Sequence, residues 1–221
     1  MTSQPGEPTL DPGATLRLIR DQQERARAAT SPDGRALYGA WGLAWLVGYL
    51  CLYASTGPDG MPAGWAFMVF GGAILAGVVF TIVHSVRRTA GTRGPSARVG
   101  AMYGWSWMLG FVTFGLVLGG LERPGASGVV MALASNAFAS LVVGLLYLGG
   151  AAAFQDSSLF VVGVWMLLVA AVATFVGLPT TYLVMALAGG GGFLVMVGVE
   201  QALRVRRRRA AALPAEPRGG R

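Results

Sequence analysis

The side chains of this 221-residue chain that could bind or react are few, and the first group forms a polar patch inside an apolar stretch. The patch consists of Ser135, Asn136 and Ser140, and Asn136 is the only asparagine in the chain. Polar groups inside an apolar segment are costly, so they are the first place to look for function. Asn136 could bond a neighbouring helix or line a cavity, and the sequence leaves both interpretations open.

A second group of polar residues lies where apolar stretches end. His84 precedes a pair of arginines, which favours a position at a membrane interface over a place in a proton path. Asp156 is followed by two serines, a pattern typical of a helix cap. Glu200 lies four residues before Arg204, the spacing of an ion pair on one helix face.

The chain contains no arrangement of residues that indicates catalysis. His84 and Cys51 are its only histidine and cysteine, and no nucleophile–base pair or paired-acid motif is present. We therefore predict that the protein is not an enzyme and holds neither a metal nor a cofactor. No acid lies alone in the middle of an apolar stretch, which argues against an ion pump or a strongly coupled proton symporter.

The elements that must position these residues are predicted to be membrane-spanning helices. Hydrophobic residues make up 54% of the chain and charged residues only 12%, against about 25% charged in a typical soluble protein. Six stretches approach the roughly 20 apolar residues that a bilayer requires. We predict an all-α fold whose six spans cover residues 36–55, 63–85, 99–120, 127–153, 158–177 and 180–202.

The placement of arginine predicts the orientation of these spans. All 17 basic residues are arginines. With six spans, 16 of them fall on one side, in the N-terminal arm, the loop after the second span and the C-terminal tail; only Arg123 falls on the other. Because loops rich in arginine stay in the cytoplasm, we predict that both termini are cytoplasmic.

The charge pattern also divides the chain into three parts. Residues 1–35 are predicted to form a cytoplasmic arm with a short amphipathic helix over 14–29, and Ser31 is predicted to cap the helix that follows. Residues 36–202 form the transmembrane domain, and residues 203–221 form an arginine-rich tail. The tail is predicted to attract anionic lipid and not nucleic acid. The arm could dock a partner or simply end the chain.

Three glycine patterns bear on how the helices pack. Trp45 and Trp107 are each flanked by glycines three residues before and after, which predicts a repeat of two-helix hairpins with a weaker third copy around Trp165. Gly189, Gly190, Gly191 and Gly192 follow one another inside the sixth span, where they could allow close helix packing or a functional break of the helix. Gly-x-x-x-Gly pairs at Gly100–Gly104 and Gly115–Gly119 predict further close packing.

Three segments carry a resemblance to a known group of proteins: PDGRALYGAWGLAWLVGY, GPSARVGAMYGWSWMLGF and LVVGLLYLGGAAAFQDSSLFVVGVWMLL. Together with YLVMALAGGGGFL, they resemble small six-helix membrane proteins of actinomycetes, usually described only as uncharacterised or as candidate transporters. The resemblance covers about residues 15–205 and implies a bacterial plasma-membrane location. It carries no set of site residues.

These observations predict a multi-pass membrane protein that acts as a transporter or channel for a small solute. The hairpin repeat, the polar patch and the glycine run motivate this hypothesis. The alternative is a non-transporting accessory or sensor subunit that docks a partner through its arm, or a chain that pairs with a second copy.

Overall fold

A computed structural model of the chain describes residues 12–30, 32–58, 60–91 and 94–212. The described residues form helices and no β-strand, which confirms the predicted all-α class. The helices are α1 Pro12–Thr30, α2 Gly34–Ala54, α3 Gly64–Thr89, α4 Pro95–Glu122, α5 Gly128–Phe154, α6 Ser157–Val176, α7 Thr180–Val184, a π-helical segment Met185–Gly190, and α8 Gly191–Ala212.

Six of these elements are long and apolar enough to cross a membrane, as predicted. The sixth candidate span, Thr180–Arg206, consists of α7, the π segment and most of α8, and we call it the last span. The ends of the six helices lie within four residues of the predicted ends. The fold is thus compatible with an integral membrane protein, while the side on which the termini lie stays a prediction.

The spans pack in a defined order of neighbours. Helix α2 packs against α3 and against the last span, α6 packs against the last span and α5, and α5 packs against α4. The most extensive contact joins α5 and α6, which belong to different predicted hairpins. The division into three hairpins therefore stays a prediction, although α2 with α3 and α4 with α5 do pack as pairs.

Helix α2 and the last span cross at a pair of glycines. A Cβ added to Gly42 would lie 3.0 Å from the carbonyl oxygen of Gly190 and 2.8 Å from a methyl carbon of Leu194. A Cβ added to Gly190 would lie 2.6 Å from the backbone nitrogen of Leu46. Each glycine thus leaves room for the backbone of the other helix. It also leaves room for a leucine of that helix, Leu194 beside Gly42 and Leu46 beside Gly190.

Helices α5 and α6 cross in the same way. A Cβ on Gly144 would lie 2.7 Å from Leu167, and a Cβ on Gly163 would lie 2.9 Å from Leu148. The distances to the opposite glycine carbonyl are 3.2 Å and 3.0 Å. Both crossings therefore use one Gly-x-x-x-Leu element on each helix, the small-residue contact by which helices associate in lipid.

The repeat around the tryptophans has a structural counterpart. Gly48 of α2 packs against Phe70 of α3, and its sequence equivalent Gly110 of α4 packs against Val142 of α5. The preceding glycines differ, because Gly42 is covered by the last span whereas nothing lies within 4 Å of a Cβ on Gly104. Gly100, Gly115 and Gly119 are equally open, so the two Gly-x-x-x-Gly pairs of α4 make no helix contact within the described chain, contrary to the prediction.

The centre of the bundle is aromatic. Tyr38 stacks on Tyr147 and Phe193 with ring centroids 6.4 and 6.2 Å apart, and Trp45 meets Phe193 edge-on at 5.7 Å. Tyr49 lies 5.6 Å from Trp45. Because these rings come from α2, α5 and α8, they join the two glycine crossings into one core.

Substitution of two neighbouring glycines of the last span by alanine should have opposite effects on the free energy of unfolding. Gly190→Ala would force a methyl group against the backbone of α2, and overpacking of this kind typically costs about 1–3 kcal/mol. Gly191→Ala is the matched control, since nothing lies within 4 Å of its added methyl and alanine favours a helix by up to about 1 kcal/mol. Thermal unfolding in detergent, followed by circular dichroism, measures both. Equal midpoints for the two variants would contradict the crossing.

Candidate functional site

The last span changes its winding where the glycine run begins. Residues Met185–Gly190 form a π-helical segment, and the amide of Gly191 donates to the carbonyl of Ala186 five residues earlier. A π segment is rare in proteins and is frequently found at functional sites. Gly189 and Gly190 end this segment, and Gly191 and Gly192 begin α8, so the helix is rewound here without being interrupted.

Three of the four glycines are packing positions. A Cβ on Gly189 would lie 2.9 Å from the ring of Trp45, and Gly190 meets the backbone of α2. A Cβ on Gly192 would collide with the indole nitrogen of Trp165 on α6. Gly191 alone faces open space. The run therefore lets two different helices approach the last span at the same level.

Trp165 also satisfies the backbone of the π segment. Its indole N–H donates to the carbonyl oxygen of Ala188 at 2.9 Å. The same carbonyl also accepts from the amide of Gly191, so the rewound backbone and α6 share it. In the sequence, Trp165 is only a member of the weaker third repeat, and no pattern predicts that it donates a hydrogen bond.

The predicted polar patch divides between two environments. Ser140 is fully buried, and its hydroxyl lies 3.9 Å from the sulfur of Met185, the first residue of the π segment. The Ser135 hydroxyl donates at 2.6 Å to the carbonyl of Met131, and the Asn136 amide donates at 2.8 Å to the carbonyl of Ala132. The structure thus brings Ser140 to the glycine-bearing helix, while the other two hydrogen-bond within α5.

Two buried donors near the π segment have no acceptor in the described chain. The indole N–H of Trp45 and the hydroxyl of Tyr182 belong to side chains that are 5% and 1% exposed. The ring of Tyr49 lies between them, 5.6 Å from Trp45 and 6.5 Å from Tyr182. An unpaired buried polar group costs about 1–3 kcal/mol, so two of them in one region call for an explanation.

A polar cluster forms at the end of the bundle where α2 begins and α8 ends. Asp33 caps α2 and accepts from the Arg35 side chain at 2.9 Å and from the Arg204 side chain at 2.9 Å. The amide of Asp33 donates to Nε2 of His84 at 3.1 Å, and Arg35 donates to the side-chain oxygen of Gln201. The cluster thus ties α2 to α3 and α8.

Several predictions about this end are settled by the cluster. The following helix begins at Gly34 and is capped by Asp33, and Ser31, the predicted cap, lies outside the described residues. Glu200 does not pair with Arg204, because Arg204 pairs with Asp33 and Glu200 accepts from the Ser158 hydroxyl at 2.7 Å.

One other prediction about this end is confirmed. Asp156 caps α6 as predicted, accepting from the amides of Ser158 and Leu159 at 2.8 and 3.3 Å. His84 lies in the polar cluster, at the end of α3 and away from the aromatic core. Within the part of the chain that the structure describes, no three His, Cys, Asp or Glu side chains approach one another as a metal site would require.

Comparison with known proteins adds no family to this description. No protein-family model, no curated protein and no solved structure matches the chain. The site must therefore be interpreted from its own geometry.

The polar cluster predicts a pH-dependent stability. The side-chain hydrogen bond from Arg35 is the main reason that the pKa of Asp33 lies below its ordinary value, and Arg204 contributes in the same direction. Since the folded pKa is the lower one, the carboxylate stabilises the fold above its unfolded pKa of about 3.9. This stabilisation is lost as the pH falls through the folded pKa.

Unfolding of wild type and Asp33→Asn at several pH values tests this prediction. We expect wild type to lose about 1 kcal/mol more than the variant between about pH 6 and about pH 3, because the ion pairs are partly exposed. Asp21→Asn removes the same charge from the exposed helix α1 and should behave like wild type. A pH profile unchanged by Asp33→Asn would contradict the role of the cluster.

Proposed function

We propose that the protein is a transporter or channel-like protein for a small uncharged solute, and that the solute binds beside the π segment. The observation that carries the proposal is the pair of buried donors, Trp45 and Tyr182, which lack acceptors in the described chain. A solute with acceptor atoms would complete both hydrogen bonds. In this proposal the membrane is the bacterial plasma membrane and both tails are cytoplasmic.

The surroundings of the donors define the chemistry of the solute. Ser140 approaches Met185, which lies three residues after Tyr182 in the last span, and the rings next to Trp45 are those of Tyr49 and Phe193. The charged residues of the chain lie at or beyond the ends of the six spans, so a charged solute would meet no counter-ion in the core. A small neutral molecule with oxygen acceptors fits this environment best.

The π segment is the part of the last span that we expect to change conformation during transport. The last span crosses α2 at Gly42 and Gly190, and Trp45 packs on Gly189 just beside that crossing. If the segment rewinds as an α-helix, α7 rotates relative to α8 and Tyr182 moves relative to Trp45. Such a change would open the site without requiring α8 to leave its contacts with α2, because the glycines tolerate both windings.

Thiol labelling tests whether water reaches the proposed site. In a Cys51→Ala background, single cysteines along residues 186–194 and 132–141 are exposed in whole cells to a membrane-impermeant thiol reagent. We expect labelling on one face of the last span at mid-membrane depth and at Ser140→Cys. Absence of labelling at every mid-depth position would contradict a water-accessible pathway.

Solute flux tests the two donors directly. Proteoliposomes are exposed to osmotic gradients of glycerol or urea, and shrinkage and recovery are followed by light scattering. We expect Tyr182→Phe and Trp45→Phe to slow recovery about tenfold, since each removes one hydrogen bond of about 1–1.5 kcal/mol. Tyr53→Phe and Trp65→Phe are matched controls, because both side chains are exposed on the outside of the bundle.

The unfolding midpoints of the same variants show whether slower flux reflects loss of the site or loss of the fold. Without solute, Tyr182→Phe removes an unpaired buried hydroxyl and should leave the unfolding midpoint unchanged or raise it. Slower flux with undiminished stability supports the site. No flux above empty vesicles for any solute, combined with no thiol labelling, would refute it.

A second candidate function rests on α1. Leu16 and Ile19 are 56% and 45% exposed on a helix whose main contact among the described spans is with α3. We propose as the alternative that the protein is an accessory subunit and that α1 docks a partner protein. Pulldown from native membranes should then recover one stoichiometric partner that is lost when residues 1–30 are deleted, and flux would be absent.

A further inference from the structure

Helices α3 and α4 follow one another in the chain but do not pack together along their length. Helix α3 ends at Thr89 and rests on α2, whereas α4 begins at Pro95 and rests on α5. No described helix packs extensively against both. Helix α4 has no buried residue, and α3 has only Ala66 and Gly77. These are the two spans of the bundle that are left most open.

The exposed sides of both helices are apolar and carry several glycines, which leave the helix surface without side chains at those positions. Nothing lies within 4 Å of a Cβ on Gly71 or Gly72 of α3, nor of a Cβ on Gly104 of α4. A groove of about 270 Å³ follows the surface of α4, lined by Ala101, Gly104, Trp105 and Met108. A flexible hydrocarbon chain could lie along such a surface without meeting a polar group.

Cations without partners stand at one end of this apolar surface. Arg87 and Arg88 lie in the last turn of α3, and Arg98 lies in the first turn of α4. All three are exposed, and no acid in the described chain pairs with them. Arg35 and Arg204, by contrast, are held by Asp33. The two helix ends that flank the loop between α3 and α4 therefore present positive charge that no acid among the described residues neutralises.

We propose that an anionic phospholipid binds where α3 and α4 meet this loop. Its headgroup phosphate would be held by Arg87, Arg88 and Arg98, and an acyl chain would lie along the open face of α4 beside Trp105. Arginine pairs well with phosphate, and basic residues near an anionic membrane surface attract anionic lipid. The proposal goes beyond the proposed function and does not depend on transport.

The charges favour a lipid over a second copy of the chain. Two copies related by an axis along the membrane normal would place these arginines against their own duplicates, and like charges would repel. An anionic headgroup neutralises them instead. The apolar faces of α3 and α4 thus favour a ligand with an acyl chain. The guanidinium groups, which no acid in the described chain pairs, favour an anionic headgroup.

Quenching by brominated lipids tests the site in the full-length protein. The protein is reconstituted in phosphatidylcholine vesicles that contain a minor fraction of acyl-brominated phosphatidylglycerol or, separately, of acyl-brominated phosphatidylcholine. We expect excess quenching of tryptophan fluorescence by brominated phosphatidylglycerol, and the excess should fall in Trp105→Phe. Arg88→Gln with Arg98→Gln should lower the preference for phosphatidylglycerol about tenfold or more, since two charges are removed.

The matched control removes two charges elsewhere. Arg206→Gln with Arg209→Gln changes exposed arginines of α8 and should keep in full the part of the excess quenching that Trp105→Phe removes. Anionic lipid that the tail attracts is not part of this signal. Equal quenching by both brominated lipids in wild type would overturn the proposal, as would equal losses in the two double variants. If chemical cross-linking then joins α4 of one copy to a second copy, the face is instead an interface between chains.

Discussion

The approach of two backbones at Gly42 and Gly190 is the contact on which the rest of the bundle depends. In lipid, apolar side chains gain little by leaving their surroundings, so helices associate where their surfaces fit closely. Gly42 and Gly190 bring α2 and the last span close enough for each backbone to touch the other helix. That distance sets how far the rings of Trp45 and Phe193 reach into the core, and thereby which side chains Tyr147 and Tyr49 meet.

The glycine run serves packing and, at the same time, permits a change of helix winding. Side chains at these positions would strike Trp45, the backbone of α2 or Trp165. Because the glycines also lack side chains that favour one winding, the helix can accommodate the π segment that presents the Ala188 carbonyl to Trp165. The sequence left open whether the glycines allow close packing or a change in the helix. In the structure, both occur in the same stretch of the last span.

How much of this could be read from the sequence depends on the kind of interaction. The six spans could be predicted from the length of the apolar stretches, because this length is typical of helices that cross a bilayer. The capping role of Asp156 could be predicted from the two serines that follow it. Contacts between distant parts of the chain had no such local signal. Arg204 has an acid four residues before it and pairs instead with Asp33, 171 residues away. The unpaired donors Trp45 and Tyr182 are ordinary aromatic residues in the sequence and become unusual only through burial.

The position of the last span has a consequence for the order of assembly. This helix is the last of the six to leave the ribosome, yet it lies between α2 and α6 and supplies Phe193 to the centre. Until it is inserted, Gly42 lacks Gly190, and Asp33 lacks Arg204. Trp45 then lacks the ring of Phe193, and Tyr49 lacks the ring of Tyr182. The earlier helices can form pairs during synthesis, but the core closes only when the C-terminal segment returns to the first span. The core is therefore completed only after the last span has been synthesised and inserted.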